Sequence, residues 1–127
     1  MKKVYLDNAS TTAIHPLVIE EMTQVMSNDY GNPSSTHSYG RNAKSILELS
    51  RKSIAKYFNV SAQEIIFTSC GTESNNWILR SAVVDLKVKR IITSKIEHHA
   101  VLETVLALQK DYGIQVDFVA VKPNGEI

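Results

Sequence analysis

The segment Thr68-Ser69-Cys70-Gly71-Thr72-Glu73-Ser74 gathers the hydroxyls of Ser69, Thr72 and Ser74 around a glycine, between an apolar run and a stretch of helical spacing. At a strand-to-helix junction this composition suits a phosphate. The first amides of the helix have no internal acceptor, the helix dipole favours an anion, and Gly71 lets the backbone come close. The competing reading is a plain cap, with Ser69 or Thr72 accepting from the first turn. No Gly-x-x-x-x-Gly-Lys and no Gly-x-Gly-x-x-Gly is present, so neither a P-loop nor a dinucleotide fingerprint is at work. Ile96-Glu97-His98-His99-Ala100 follows the next strand-like run at the corresponding end. A histidine there can hydrogen-bond, move a proton or stack on a flat ligand; the alternative is a partly buried structural histidine. Cys70 at a helix start would have a stabilised thiolate, but a free cysteine is more often a small buried packer. Lys95 reads as a solvated lysine rather than a Schiff-base one. Adjacent His98 and His99 with Cys70 make poor zinc spacing, so no metal site is expected.

These residues need elements to position them. His15-Pro16 reads as a helix entrance, with Val18, Met22, Val25 and Met26 on one face. Tyr30 to Thr36 is a loop. A longer helix is expected over Ser38–Phe58, with Ala43, Ile46, Leu47, Ile54, Tyr57 and Phe58 as its apolar stripe. Arg41, Lys44, Glu48, Arg51, Lys52 and Lys56 then form a solvated face. An alternating rhythm follows: a strand over Glu64–Thr68, a helix from Thr72 to about Leu86, and a strand over Lys89–Thr93. A helix over His99–Tyr112 and a third strand through Ile114, Val116, Phe118 and Ala120 complete it, before the turn Pro123-Asn124-Gly125. Strands alternating with helices of this length predict an α/β fold with a parallel-strand sheet flanked by helices. The chain stops at Ile127, two residues past that turn, and reads as a chain cut short.

Composition narrows the function. With 127 residues, 14 Lys+Arg and 13 Asp+Glu, the chain suits one domain and carries a net charge of +1. Such balance gives no reason to expect nucleic acid or an anionic membrane as partner. No apolar run approaches the roughly 18 residues of a membrane span. One cysteine excludes a disulfide framework and a Cys-rich zinc module. Met1-Lys2-Lys3 lacks a following apolar stretch, so it is not read as a signal peptide, and the expected compartment is the cytoplasm.

Several segments, in order, resemble the N-terminal portion of the cysteine desulfurases, pyridoxal-phosphate enzymes of the class V aminotransferase group. They are Tyr5-Leu6-Asp7-Asn8-Ala9-Ser10-Thr11-Thr12, Gly31-Asn32-Pro33-Ser34-Ser35-Thr36-His37, Gly40-Arg41, Ile66 to Asn76, and Glu97-His98-His99-Ala100-Val101-Leu102. The Ser69-Cys70-Gly71-Thr72 variant looks most like the branch serving nitrogenase maturation. Ser10 stands where many relatives have Ala.

The resemblance implies a fold and roles. Residues 1–15 would be an extended segment of the small-domain, active-site side. Residues 16–127 would be part of the pyridoxal-phosphate-binding large domain of a fold-type I enzyme. Gly71 and Thr72 would hold the phosphate of pyridoxal 5'-phosphate. His98 would stack on the pyridine ring and assist proton transfer, while His99 inherits no role. Asn8-Ala9 and the Gly31–His37 loop would lie near the active-site mouth. The implied activity removes sulfur from L-cysteine, giving alanine and a protein persulfide for iron–sulfur assembly or thiolation. It implies a sulfur-acceptor or iron–sulfur scaffold partner and a homodimer. The family's Schiff-base lysine in Ser-x-His-Lys, its pyridine aspartate, its carboxylate-binding arginine and its acceptor cysteine come from later segments, so the 127 residues alone are expected to be inactive. A selenocysteine lyase or another class V aminotransferase is the alternative enzyme. A non-catalytic phosphate-ligand-binding or interaction fragment is the alternative of another class.

Overall fold

The computed structural model describes residues 3–127. Met1 and Lys2, the basic start weighed above, lie outside the described residues. The chain divides into two compact units, one ending at Ile65 and the other Ile66–Ile127.

In the first unit, residues 3–15 form neither helix nor strand. Helix α1 (Pro16–Asn28) begins with proline in its first turn, and the His15 ring accepts the Leu17 N–H at 3.3 Å. The expected face is present, but only Val25 is half-buried and no α1 residue is fully buried. Helix α2 (Ser38–Phe58) is capped by His37, whose Nδ1 accepts from the Gly40 amide at 3.4 Å. The loop before it sits hard against the helix start. A Cβ on Gly31 would lie 2.3 Å from the Tyr39 carbonyl oxygen, and one on Gly40 2.4 Å from that of Ser35.

The inward face of α2 differs from the expected stripe. Gly40, Ala43 and Ala55 are buried, whereas Tyr57 and Phe58 are 85% and 65% exposed. Spacing of three and four residues from Gly40 leads through Ala43, Leu47 and Arg51 to Ala55. Arg51 therefore leaves the solvated face: it donates to the Ile65 carbonyl and pairs with Glu48 at 3.4 Å. Arg41 likewise donates to the Thr36 carbonyl of the preceding loop. Asn59 closes α2 in the left-handed region (φ 55°).

The expected strand over Glu64–Thr68 does not form. Ala62–Glu64 is a turn of 3-10 helix closed by a capping box. The Glu64 carboxylate accepts the Ser61 N–H at 2.8 Å, and Ser61 Oγ accepts from Gln63 at 3.4 Å. Glu64 is committed to that turn. The backbone is extended at Ile65, but among the described residues no strand pairs with this run.

The second unit runs from extended chain into α3 (Gly71–Val84), β1 (Arg90–Ser94), α4 (His99–Tyr112) and β2 (Gln115–Val119). The sheet among the described residues has two strands, not three, paired in parallel from Arg90↔Gln115 to Ser94↔Val119 with α4 as the crossover. Val83, Leu108 and Ile114 form its core, with Leu79, Ile91 and Val116 against them. Leu108 is fully buried, and burial of such a side chain contributes roughly 1.5–3 kcal/mol. Gly113 ends α4 at φ 64°, returning its N–H to the Gln109 carbonyl. Across the strands Arg90 pairs with Asp117; that guanidinium, helped by the Gln115 amide, holds the Asp117 carboxyl below its ordinary range.

Candidate functional site at the heads of α3 and α4

Two helix heads in the second unit carry the residues singled out by sequence. At the first, Cys70 is the N-cap residue of α3 in extended geometry, and no side chain caps the helix. The expected cap by Ser69 or Thr72 is thus absent. Ser69 lies one position too early, and its N–H and hydroxyl are both turned to the Glu73 carboxylate, at 2.6 and 2.7 Å. These two bonds hold the Glu73 carboxyl below its ordinary range. Thr68 Oγ1 and Ser74 Oγ lie 2.7 Å apart and tie the turn from the other side.

Cys70 is exposed, which corrects the expectation of a buried packer. Its thiol is shifted below the ordinary value, first by the Glu73 backbone N–H, then by the Ser69 hydroxyl and the Thr72 backbone N–H. The first-turn amides therefore favour negative charge, which is the property a phosphate would use. A Cβ on Gly71 would meet nothing within 4 Å. The approach to this head is open.

At the second head, His98 caps α4, with Nδ1 accepting the Ala100 N–H at 3.1 Å. That bond assigns the proton of the neutral ring to Nε2, the nitrogen left to donate. The His99 ring stands edge-on to it, centroids 6.3 Å apart. Lys95 is exposed. Among the described residues, no three His, Cys, Asp or Glu side chains come together as a metal set.

Thr72 and His98 line one open groove of about 580 Å³, shared with Asn76, Arg80, His99 and Thr104 among others. Sequence reasoning missed the link between the helices. Thr104 Oγ1 lies 2.8 Å from Asn76 Oδ1 and 2.9 Å from the Ala100 carbonyl, and Asn76 Nδ2 donates to the Thr72 carbonyl at 3.1 Å. The local halves were visible as pairs four apart, 72–76 and 100–104. Their meeting was not, because it depends on how the helices lie.

The sequence matches the family described as Aminotransferase class-V over residues 4–127. The chain belongs to that family. Within the class V aminotransferases, it is 44% identical over 126 residues to the cysteine desulfurase IscS of Dictyoglomus turgidum, covering 98% of this chain and 32% of that protein. It is 40% identical to the putative cysteine desulfurase IscS 1 of Bacillus subtilis, covering 100% of this chain and 34% of the relative. A solved structure titled NifS-like protein superposes with a TM-score of 0.84 at 43% identity, over 94% of this chain and 33% of that one. DndA from Streptomyces lividans superposes with a TM-score of 0.76 at 38% identity, over 98% and 35%. The chain thus spans about a third of the length of the curated relatives it matches. The fold is the α/β arrangement of the N-terminal third of these NifS-like proteins. Among the described residues, no helix is long and apolar enough to cross a membrane.

Proposed function

We propose that this chain forms the phosphate- and ring-binding part of a pyridoxal-phosphate-dependent cysteine desulfurase acting on L-cysteine. The observation that carries this is the uncapped, anion-favouring head of α3 sharing one groove with the capped histidine of α4. Support for the substrate comes from relatives named cysteine desulfurase, and from a structural neighbour, 30% identical with a TM-score of 0.79, titled SspA in complex with cysteine.

The residues fit the cofactor. First-turn amides that no side chain caps, and open space over Gly71, suit a phosphate, and Thr72 adds a hydroxyl beside them. His98 offers a flat ring, and its cap bond fixes which nitrogen carries the proton. Bound there, pyridoxal phosphate supplies an electron sink for the substrate carbon. Gly71 and Thr72 bind and orient the phosphate, and His98 stacks on the ring and holds a donatable proton at Nε2. Residues 16–127 belong to the large, cofactor-binding domain and residues 1–15 to the active-site side of the small one. The working form is a cytoplasmic homodimer that passes persulfide sulfur to an acceptor or iron–sulfur scaffold protein. The family pattern motivates these assignments.

The test uses 4'-deoxypyridoxine 5'-phosphate, which cannot condense with lysines, and its unphosphorylated counterpart. Both are titrated into the chain and into Thr72→Ala. A hydrogen bond to a charged group contributes roughly 1.5–3 kcal/mol, so Thr72→Ala weakens the phosphorylated compound about ten- to a hundredfold. It leaves the other unchanged. Equal affinity of the two proteins for the phosphorylated compound contradicts the assignment.

A further inference from the structure

We propose that Asn76 and Thr104 are positioning residues that tie the first turn of α4 to the Thr72–Glu73 peptide at the head of α3. The functional meaning of the tie rests on the phosphate reading above; the tie itself does not.

Donor and acceptor chemistry fixes its direction. Asn76 faces the Thr72 carbonyl at 3.1 Å. A carbonyl only accepts, so the amide must present Nδ2 there and Oδ1 to its other neighbour. That neighbour is Thr104 Oγ1 at 2.8 Å, which must then be the donor. The same hydroxyl sits 2.9 Å from the Ala100 carbonyl, also a pure acceptor, so its single proton is shared between the helices. Reversing the Asn76 amide would set Oδ1 against the Thr72 carbonyl oxygen. Thr104 is 4% exposed and Ala100 7% exposed, so water competes poorly for the bonds of the Thr104 hydroxyl, whereas the Asn76–Thr72 bond lies at the surface. A threonine in a helix satisfies itself with the carbonyl four residues back. The bond to Asn76 is beyond that need.

The consequence falls on one amide. The Thr72 carbonyl and the Glu73 N–H belong to the same peptide unit. A hydrogen bond accepted at the carbonyl polarises that unit and strengthens its N–H as a donor, by about 10–30% per bond. The Glu73 N–H is the leading influence on the Cys70 thiol and one of the first-turn amides open to a phosphate. Helix α4 thus tunes and orients the anion-facing turn of α3 without touching the anion.

Cys70 is the chain's only cysteine, so its alkylation reports that amide without any cofactor. The experiment measures the pH profile of iodoacetamide alkylation by mass, in the chain and in Asn76→Ala, Thr104→Val and Thr104→Ser, with circular dichroism confirming the fold of each. The expected result is that Asn76→Ala and Thr104→Val raise the alkylation midpoint by roughly a few tenths of a pH unit. Thr104→Ser, which keeps the hydroxyl, leaves it in place. Should Asn76→Ala fail to fold, the isosteric Thr104→Val decides. Folded variants with an unmoved midpoint overturn the proposal, as does a Thr104→Ser midpoint that moves with Thr104→Val. In parallel, Asn76→Ala weakens 4'-deoxypyridoxine 5'-phosphate about two- to fourfold. If the unmodified chain does not bind that compound while the midpoint still moves, the phosphate reading fails and the tie stands.

Discussion

His98 does two things with one ring, and the two are separable by substitution. Its Nδ1 caps α4 through the Ala100 N–H, while its face and Nε2 are assigned to the cofactor. Alanine removes both functions; losing a cap of this kind costs about 0.5–2 kcal/mol. Asparagine is among the preferred N-caps and carries no aromatic ring. His98→Asn is therefore expected to keep the thermal stability of the chain. It binds 4'-deoxypyridoxine 5'-phosphate about two- to tenfold more weakly, the scale of one aromatic stack at roughly 0.5–1.5 kcal/mol. His98→Ala loses stability as well. His99→Ala leaves binding unchanged, although its ring stands beside that of His98. Thermal unfolding and titration of the three variants check this. Weak binding in His99→Ala with normal binding in His98→Asn would show the assignment off by one residue. His15 and His37 cap α1 and α2 in the same way, so capping by itself does not distinguish His98. Its groove does.

At the scale of elements, glycines separate packing from binding. The loop ahead of α2 can sit where it does because Gly31 has no Cβ; the nearest atoms to one would be backbone, at 2.3 and 2.5 Å. Gly31→Ala is expected to cost about 1–3 kcal/mol, the range for overpacking. Gly71 is the opposite case. Its Cβ would meet open space, and it lies in the first turn of a helix, where alanine is the better former. Gly71→Ala should hold or raise the melting temperature while weakening the phosphorylated ligand, because the methyl group intrudes on the anion's approach. An early melt in Gly71→Ala, or phosphate binding equal to that of the unmodified chain, contradicts this reading.

Elements with strong punctuation were legible in the sequence. Pro16 opened α1, and α4 ended at Tyr112 just before Gly113. Thr72 and His98 could be placed at helix heads from spacing alone. The strand over Glu64–Thr68 was misread because β-rich composition outweighed the Ser61-x-x-Glu64 capping signature. The inward face of α2 was misread because small Gly40 and Ala55 mark it, not the large Tyr57 and Phe58. The Asn76–Thr104 bond joins residues 28 apart, and no local pattern encodes it.

For the whole molecule, the candidate site lies within the second unit: the α3 head, the α4 head and the groove they share. The chain contains no Ser-x-His-Lys segment, and its one thiol stands at the α3 head. The roles proposed for Gly71, Thr72 and His98 all begin with binding the phosphate and the ring, and binding is what is tested first. Proton–nitrogen correlation spectra of the labelled chain, recorded while 4'-deoxypyridoxine 5'-phosphate is added, test it most directly. Saturable shifts of the Gly71, Thr72 and Glu73 amides and of the His98 ring, with one common affinity, are expected. The unphosphorylated compound should shift the His98 ring and spare the three amides. Saturable binding that leaves those amides unmoved, or no saturable binding at all, would contradict it.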